Sequence, residues 1–267
     1  MSVEMTRRGI PPESRNEMSR LQGRVAVVTG TSKGIGAAIA KQLAADGASV
    51  VVNYSTSREG ADQVVSEIKE RGGRAIAVGG SVANEADISN LFAQTKKKYG
   101  KVDILVNNAG VYAFSPLEQV TVDEYRRQYD TNVLGILLTT KAAIPLFPVE
   151  GGSVINISSV VSTLAPAGAS VYSSTKGAVD TITKSLAKEL GPRKIRINSI
   201  NPGLVITEGT QAAGIPGSDF ERDAVARTPL GRVGNPEDIA LPAAFLASDD
   251  ARWITGETIF VSGGAAI

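Results

Sequence analysis

Arg24 to Asp46 reads RVAVVTGTSKGIGAAIAKQLAAD, and its three parts follow one another without a gap. Arg24 to Thr29 (RVAVVT) is a short apolar, β-branched run of strand type, Gly30 to Gly36 (GTSKGIG) is a glycine-rich turn, and Ala37 to Asp46 is alanine-rich at helical spacing. The order is strand, glycine loop, helix. Gly30 suits a tight turn, while Gly34 and Gly36 permit close approach of backbone to a ligand and of helix to strand. Free N–H groups at the helix start, around Ser32, Lys33 and Ile35, attract a pyrophosphate. The spacing is GxxxGxG rather than GxGxxG, and no GK[ST] ending marks a nucleoside-triphosphate loop. Glycines before a helix are often only a turn; their position directly after an apolar strand favours a dinucleotide.

Composition narrows the chemistry around this loop. A chain of 267 residues that is 42% apolar supports one sizeable core and one domain. Lys and Arg number 28 against 27 Asp and Glu, net +1 without a long run of one sign, which argues against nucleic acid, an anionic membrane or an acidic partner and for a small molecule. The chain has no cysteine and no histidine, so thiolate catalysis, disulfides, sulfur-ligated metals, imidazole acid–base chemistry and the usual zinc ligands are excluded, and no metal is expected. Proton transfer falls to Tyr, Lys, Asp, Glu or water. No apolar run approaches the roughly 18 residues of a membrane span, and the first residues lack a signal-peptide core, so a cytoplasmic location is expected. Residues 1 to about 20 lack periodicity and read as a disordered tail, with the domain running from 21 to 267.

Further along, strand and helix patterns alternate. Ala48 to Tyr54 is a second strand whose end, where the adenine ribose of a dinucleotide belongs, offers Asn53, Tyr54 and Ser55 without a carboxylate. Lys33 and Arg58 bring two cations to the same end, which suits a 2′-phosphate. Ala61 to Glu70 and Ala86 to Tyr99 are helical, Arg74 to Val78 and Val102 to Val106 are strands, and the latter runs into Asn107-Asn108-Ala109-Gly110, small and amide residues that belong at a ligand crevice. This is the β-α-β alternation of a doubly wound α/β sheet with right-handed crossovers. A longer helix from Thr121 carries Asn132 among apolar neighbours, and a buried amide there needs a backbone partner, a held water, or both. Strands follow at Ser153 to Ser158, Ile195 to Ile200 and Glu257 to Val261, and helices at about Ser170 to Leu190 and Pro236 to Ala247. Leu204 to Thr228 has little periodicity and suits a mobile lid.

Ser159 follows the fifth strand, and Tyr172 and Lys176 stand four apart near the start of the next helix. Positions i and i+4 share a helix face, so the Lys176 cation is expected to lower the tyrosine pKa. By itself the YxxxK spacing is a common surface pattern. Together, TGTSKGIG, NNAG, Asn132, Ser159, Tyr172-Ser-Ser-Thr-Lys176 and Asn201-Pro202-Gly203 form a constellation that resembles the short-chain dehydrogenase/reductase family from about residue 21 to the end.

That resemblance implies a single-domain, Rossmann-type, doubly wound seven-stranded parallel sheet flanked by helices. It implies a catalytic tetrad of Asn132, Ser159, Tyr172 and Lys176, and a nicotinamide cofactor bound by Gly30, Gly34 and Gly36 with Asn108, Ala109 and Gly110 beside the adenosine ribose. Pro202, Gly203, Val205 and Thr207 correspond to its nicotinamide and phosphate contacts, with Tyr172 and Lys176 also reaching the cofactor. Many members have an aspartate after the third strand to contact adenine; here the chain reads Gly80-Ser81-Val82, leaving that contact weaker or made by the Ser81 hydroxyl. With Lys33 in the loop and no acid after the second strand, NADP(H) is expected over NAD(H), and the reaction is reduction of a carbonyl with Tyr172 as general acid. One alternative is a 3-oxoacyl-thioester (acyl carrier protein) reductase, though Pro148-Val149-Glu150-Gly151 lacks the basic residues such enzymes carry before the fifth strand and leaves Arg193 as one basic contact. Another is a non-catalytic cofactor-sensing protein. The closing WITGETIFVSGG segment implies a homotetramer in which Trp253, Ile259 and Phe260 take part.

Overall fold

The computed structural model describes residues 19–265. Seven parallel strands, β1 (Val25–Val28), β2 (Ser49–Tyr54), β3 (Arg74–Gly79), β4 (Ile104–Asn107), β5 (Gly152–Ile157), β6 (Ile195–Pro202) and β7 (Thr258–Val261), lie in the order β3-β2-β1-β4-β5-β6-β7. The order reverses between β1 and β4, where a crevice opens at the carboxyl ends of the strands. This is the seven-stranded doubly wound sheet expected from the alternation.

Period-two alternation divides the core. Ala26, Val28, Val50, Val52, Ile104, Val106 and Ile155 face one way and pack under helices α1 (Gly34–Ala45) and α2 (Arg58–Glu70). Val27, Val51, Leu105, Val154 and Ile197 face the other way, against α3 (Glu85–Tyr99) and further helices. The helices after α3 are α4 (Val122–Tyr129), α5 (Gly135–Ala143), a single turn α6 (Val161–Leu164), α7 (Ser170–Leu190), α8 (Glu208–Ala212), α9 (Asp219–Ala226) and α10 (Pro236–Ala247), of which α5 and α7 join α3 on that second face through Ala143, Ala187 and Leu190. Among them α10 returns to the first face beside α1, with Ile239, Ala240, Ala243 and Ala244 in the core. Both faces are covered, which is why the strands read as continuous apolar runs rather than as alternating ones. No described helix is long and apolar enough to cross a membrane.

Several boundaries moved for local reasons. The first helix starts at Gly34 rather than Ala37, because Lys33 is extended at φ −168° as its N-cap and the last glycines of the loop already form the first turn. Ser57 accepts from Gly60 N, drawing the start of α2 back to Arg58. The helix predicted from Thr121 is three pieces, with a wide π turn at Asp130–Leu134 between α4 and α5. Residues 204–228 hold two capped helices, α8 behind Thr207 and α9 behind Ser218, where the sequence pattern predicts aperiodic chain. At the amino end, the tail expected over 1–20 lies outside the described residues up to 18, and Arg20 already belongs to the fold, ion-paired to Asp46 at 2.8 Å.

Candidate active site

The glycine loop is held from three sides. Thr31 Oγ1 donates to Asn53 O (2.6 Å), and Asn108 Nδ2 donates to Thr29 O and Gly30 O, both at 2.9 Å. Thr29 Oγ1 in turn accepts from Asn108 N and Ala109 N, so the loops after β1 and β4 are tied by side chain and backbone together. The glycines have specific reasons to be there. Gly30 adopts φ +65°, and a Cβ on it would lie 2.8 Å from Ala109 Cα; a Cβ on Gly36 would lie 2.4 Å from Asn108 Nδ2. Close approach at these two positions, the second of them in the first turn of α1 at its N-terminus, is therefore of protein to protein.

That N-terminus carries an anion-binding donor in use. Gly34 N donates to a carboxylate oxygen of Glu208, the first residue of α8, at 2.9 Å, and Thr207 stands against Gly34. An acidic group capping this helix start is the arrangement expected of a phosphate site, since unpaired N–H groups and the helix dipole both favour negative charge. The donor set thus fits the pyrophosphate of a dinucleotide. Glu208 carried no signal in the sequence; only the fold brings it across 174 positions to the loop.

At the adenosine end the structure sorts the predicted contacts. Lys33 is exposed and takes part in no ion pair among the described residues, whereas Arg58 is paired with Asp62 at 3.4 Å on its own helix. Ser55 is exposed beside them, and Tyr54 packs over Gly79. Asn53 is buried, and its amide is spent within the protein: Nδ2 donates to Val78 O (3.2 Å) and Gly80 O (3.0 Å), and Oδ1 accepts from Gly30 N (3.4 Å). This side chain, expected to face the cofactor, ties β1, β2 and β3 together instead. Ser81 Oγ accepts from Ala83 N, Val82 is buried against Gly135, and Ser81 N donates to Asp87 Oδ2 at 2.8 Å. The carboxylate missing after β3 thus arrives from the first turn of α3.

Across the crevice, Asn132 sits in the π turn, 1% exposed, with Oδ1 accepting from Val111 N (2.8 Å) and Nδ2 donating to Val111 O (2.8 Å) and Thr175 Oγ1 (3.1 Å). Of the two uses considered for this amide, the structural one takes both N–H donors and one lone pair of Oδ1, leaving one acceptor position. Beneath it, Asn107 bridges Thr139 (2.7 Å), Thr140 (3.2 Å) and Asn156 (2.9 Å), and Asn156 reaches Thr183 at 2.9 Å, a buried polar ladder that joins α5, β4, β5 and α7.

Tyr172, Ser159 and Lys176 come together at the carboxyl end of β5. Lys176 is 5% exposed, donates to Ile157 O at 2.9 Å and lies 5.7 Å from the centroid of the Tyr172 ring. Burial pushes the Tyr172 phenol up to about 12, a hydrogen bond with Ser159 pulling the other way. The expectation that Lys176 would depress it is corrected: burial raises the phenol, and what opposes burial is the Ser159 hydroxyl rather than the lysine. Burial lowers Lys176 to about 8, with the Asp180 carboxylate opposing. A Cβ on Gly110 would stand 3.4 Å from Asn132 Oδ1 and 3.7 Å from Lys176 Nζ, so this glycine keeps open the space beside the ammonium. Pro202 ends β6, Gly203 N donates to Val261 O, and Val205 is buried on the way to Thr207, so these four set the path of the chain from β6 onto the glycine loop.

Over the phenol stand two aromatic rings from the loop after β4. Tyr112, Phe114 and Tyr172 have their centroids pairwise 5.9 Å apart, and Tyr112 and Phe114 are largely exposed. Ser115 N donates to Gly168 O at 2.8 Å, fixing this loop to the segment that follows α6.

Comparison with known proteins agrees with this geometry. A family model described as enoyl-(acyl carrier protein) reductase matches residues 30–266. An uncharacterised oxidoreductase of Methylorubrum extorquens is 58% identical over 247 residues, covering 92% of this chain and 99% of that protein. The 3-oxoacyl-[acyl-carrier-protein] reductase of Staphylococcus aureus is 39% identical over 240 residues, 90% of this chain and 96% of that one. Among solved structures, the angucycline C-6 ketoreductase LanV with bound NADP superposes with a TM-score of 0.87 at 37% identity, covering 92% of this chain and 97% of that one. The chain belongs to the short-chain dehydrogenase/reductase family, NAD(P)-dependent oxidoreductases that interconvert carbonyls and alcohols.

Proposed function

We propose that the protein reduces a ring-bearing ketone with NADPH. The observation that carries this reading is the meeting of Tyr172, Ser159 and the buried Lys176 at the carboxyl end of β5 under an exposed aromatic loop. The nicotinamide, when bound, supplies hydride to the carbonyl carbon. Tyr172 then gives its proton to the developing alkoxide, and Ser159 hydrogen-bonds the same oxygen. Lys176 stabilises the phenolate left behind and holds the nicotinamide ribose. Asn132 holds a relay water through the acceptor position left on its Oδ1, its two amide hydrogens being committed to Val111 O and Thr175.

Gly30, Ser32, Gly34, Ile35 and Gly36 hold the pyrophosphate side, Asn108, Ala109 and Gly110 the ribose side, and Pro202, Gly203, Val205 and Thr207 the nicotinamide side. Lys33, exposed at the loop and free of an ion pair among the described residues, takes the 2′-phosphate and makes NADP(H) the preferred cofactor. Tyr112 and Phe114 offer two ring faces and edges to a flat substrate.

Tyr172→Phe should cut turnover by on the order of a hundredfold or more, the scale of a general acid, while NADPH binding stays intact; near-wild-type turnover sinks the assignment. A second reading, reduction of a 3-oxoacyl thioester, is supported by the likeness to the carrier-protein reductase, with exposed Arg193 as the basic contact. Turnover of an acetoacetyl thioester against a cyclic ketone such as a tetralone separates the two. We further place the enzyme in the cytoplasm as a homotetramer, and 204–228 as the lid over the crevice.

A further inference from the structure

Helix α7 carries a third polar residue in step with the reactive pair: Tyr172, Lys176 and Asp180 follow at four-residue spacing along one face. Asp180 accepts from Asn201 Nδ2 at 3.2 and 3.0 Å and from Ser199 Oγ at 3.3 Å. Asn201, fully buried in β6, passes the connection on, since the same Nδ2 donates to Ser159 O at 3.2 Å and Ser162 Oγ at 3.0 Å while its Oδ1 accepts from Ser199 Oγ at 2.8 Å. With a carboxylate and a carbonyl on the nitrogen side and a hydroxyl donor on the oxygen side, only one orientation of the amide satisfies its neighbours. The connection therefore runs from the helix that bears Tyr172 and Lys176 to the backbone of Ser159.

We propose that Asp180 is a positioning residue of the reductase: it orients Asn201 so that the Ser159 loop is held against α7, and it is the counter-charge of Lys176. This rests on the roles given above to Tyr172 and Lys176. The second half follows from what surrounds the ammonium. It donates to the Ile157 carbonyl of β5 at 2.9 Å, lies 5.7 Å from the Tyr172 ring centroid with the Tyr112 ring 5.9 Å beyond, and has Gly110 of the loop after β4 beside it, while Asp180 stands one turn further along α7. Among the described residues, the carboxylate that acts on Lys176 is Asp180, and it opposes the loss of charge that burial imposes. An ammonium left without it loses its proton at lower pH.

Asp180→Asn in the full chain tests this, because it removes the charge and keeps the shape. The alkaline fall of kcat for ketone reduction should move to lower pH by on the order of one unit, with KM for NADPH and the thermal midpoint close to wild type. Asp180→Glu should bring the fall back toward the wild-type position. A lowered midpoint with the alkaline fall unmoved means a structural anchor only and overturns the proposal. Titration of Lys176 by NMR in lysine-labelled protein, assigned by Lys176→Met, reads the same quantity without turnover. An unchanged Lys176 pKa in Asp180→Asn overturns the counter-charge even where no ketone is reduced, whereas a lowered pKa in a protein that reduces no ketone upholds it and removes only the reaction assigned to the site.

Discussion

At the scale of single residues, protonation decides the chemistry. Tyr172, raised to about 12, keeps its proton throughout the accessible range, so it does not set the pH dependence of reduction. Lys176, lowered to about 8, is charged below that value and neutral above it. Since the cation is needed when the phenolate forms, kcat for ketone reduction should be level at neutral pH and fall as pH rises through about 8. A profile flat to pH 10 would contradict this. Lys33 is the complementary case, a charge at the surface with no ion-pair partner among the described residues. Lys33→Ala should narrow the NADPH-over-NADH ratio of kcat/KM by on the order of tenfold, the loss of one charge-assisted phosphate contact; an unchanged ratio removes the 2′-phosphate role. That Tyr172 and Lys176 stand close together was legible from the chain, but their states were not. Spacing places Lys176 beside Tyr172, and only burial, a property of the packed molecule, shifts the two groups as it does.

Among elements, the glycine loop and the lid answer each other. Gly34 and Glu208 are joined by one hydrogen bond at the place where a pyrophosphate is drawn, so the first turn of α8 competes with the ligand for the α1 N-terminus. Glu208→Ala should tighten NADPH binding by about two- to fivefold, the magnitude of one carboxylate at a helix terminus, as read by fluorescence titration of the cofactor. Weaker binding would mean that Glu208 helps to seat the ligand. The segment that holds it looked aperiodic because α8 and α9 are short and exposed, with no buried residue to write an apolar stripe. The π turn at Asp130–Leu134 escaped notice for another reason: one widened turn does not disturb a helical pattern on either side, yet it decides where Asn132 points.

For the molecule as a whole, the apolar side chains left uncovered by the fold include Leu241 and Phe245 on α10, Trp253, Phe260 on the edge strand β7, and Leu134 and Leu137. Light scattering should give a mass near four protomers, and Trp253→Asp should lower it; a wild-type monomer would leave these faces unexplained. The primary structure by itself determined the alternation of strand and helix, the seven-stranded sheet and the list of chemistry-bearing residues, because these depend on local periodicity and on which side chains exist at all. With neither histidine nor cysteine, tyrosine and lysine were the groups left to carry a proton. The tertiary structure decided what each polar group is free to do. Asn53 and Asn132 are spent on backbone partners, Arg58 on Asp62, and Lys33 on none among the described residues, while Glu208, Asp87 and Asp180 reach sites for which neighbouring sequence holds no sign. Hydrogen-bond donors and acceptors are exhausted by whatever lies nearest in space, and which groups lie nearest is settled only when the sheet closes its order from β3 to β7.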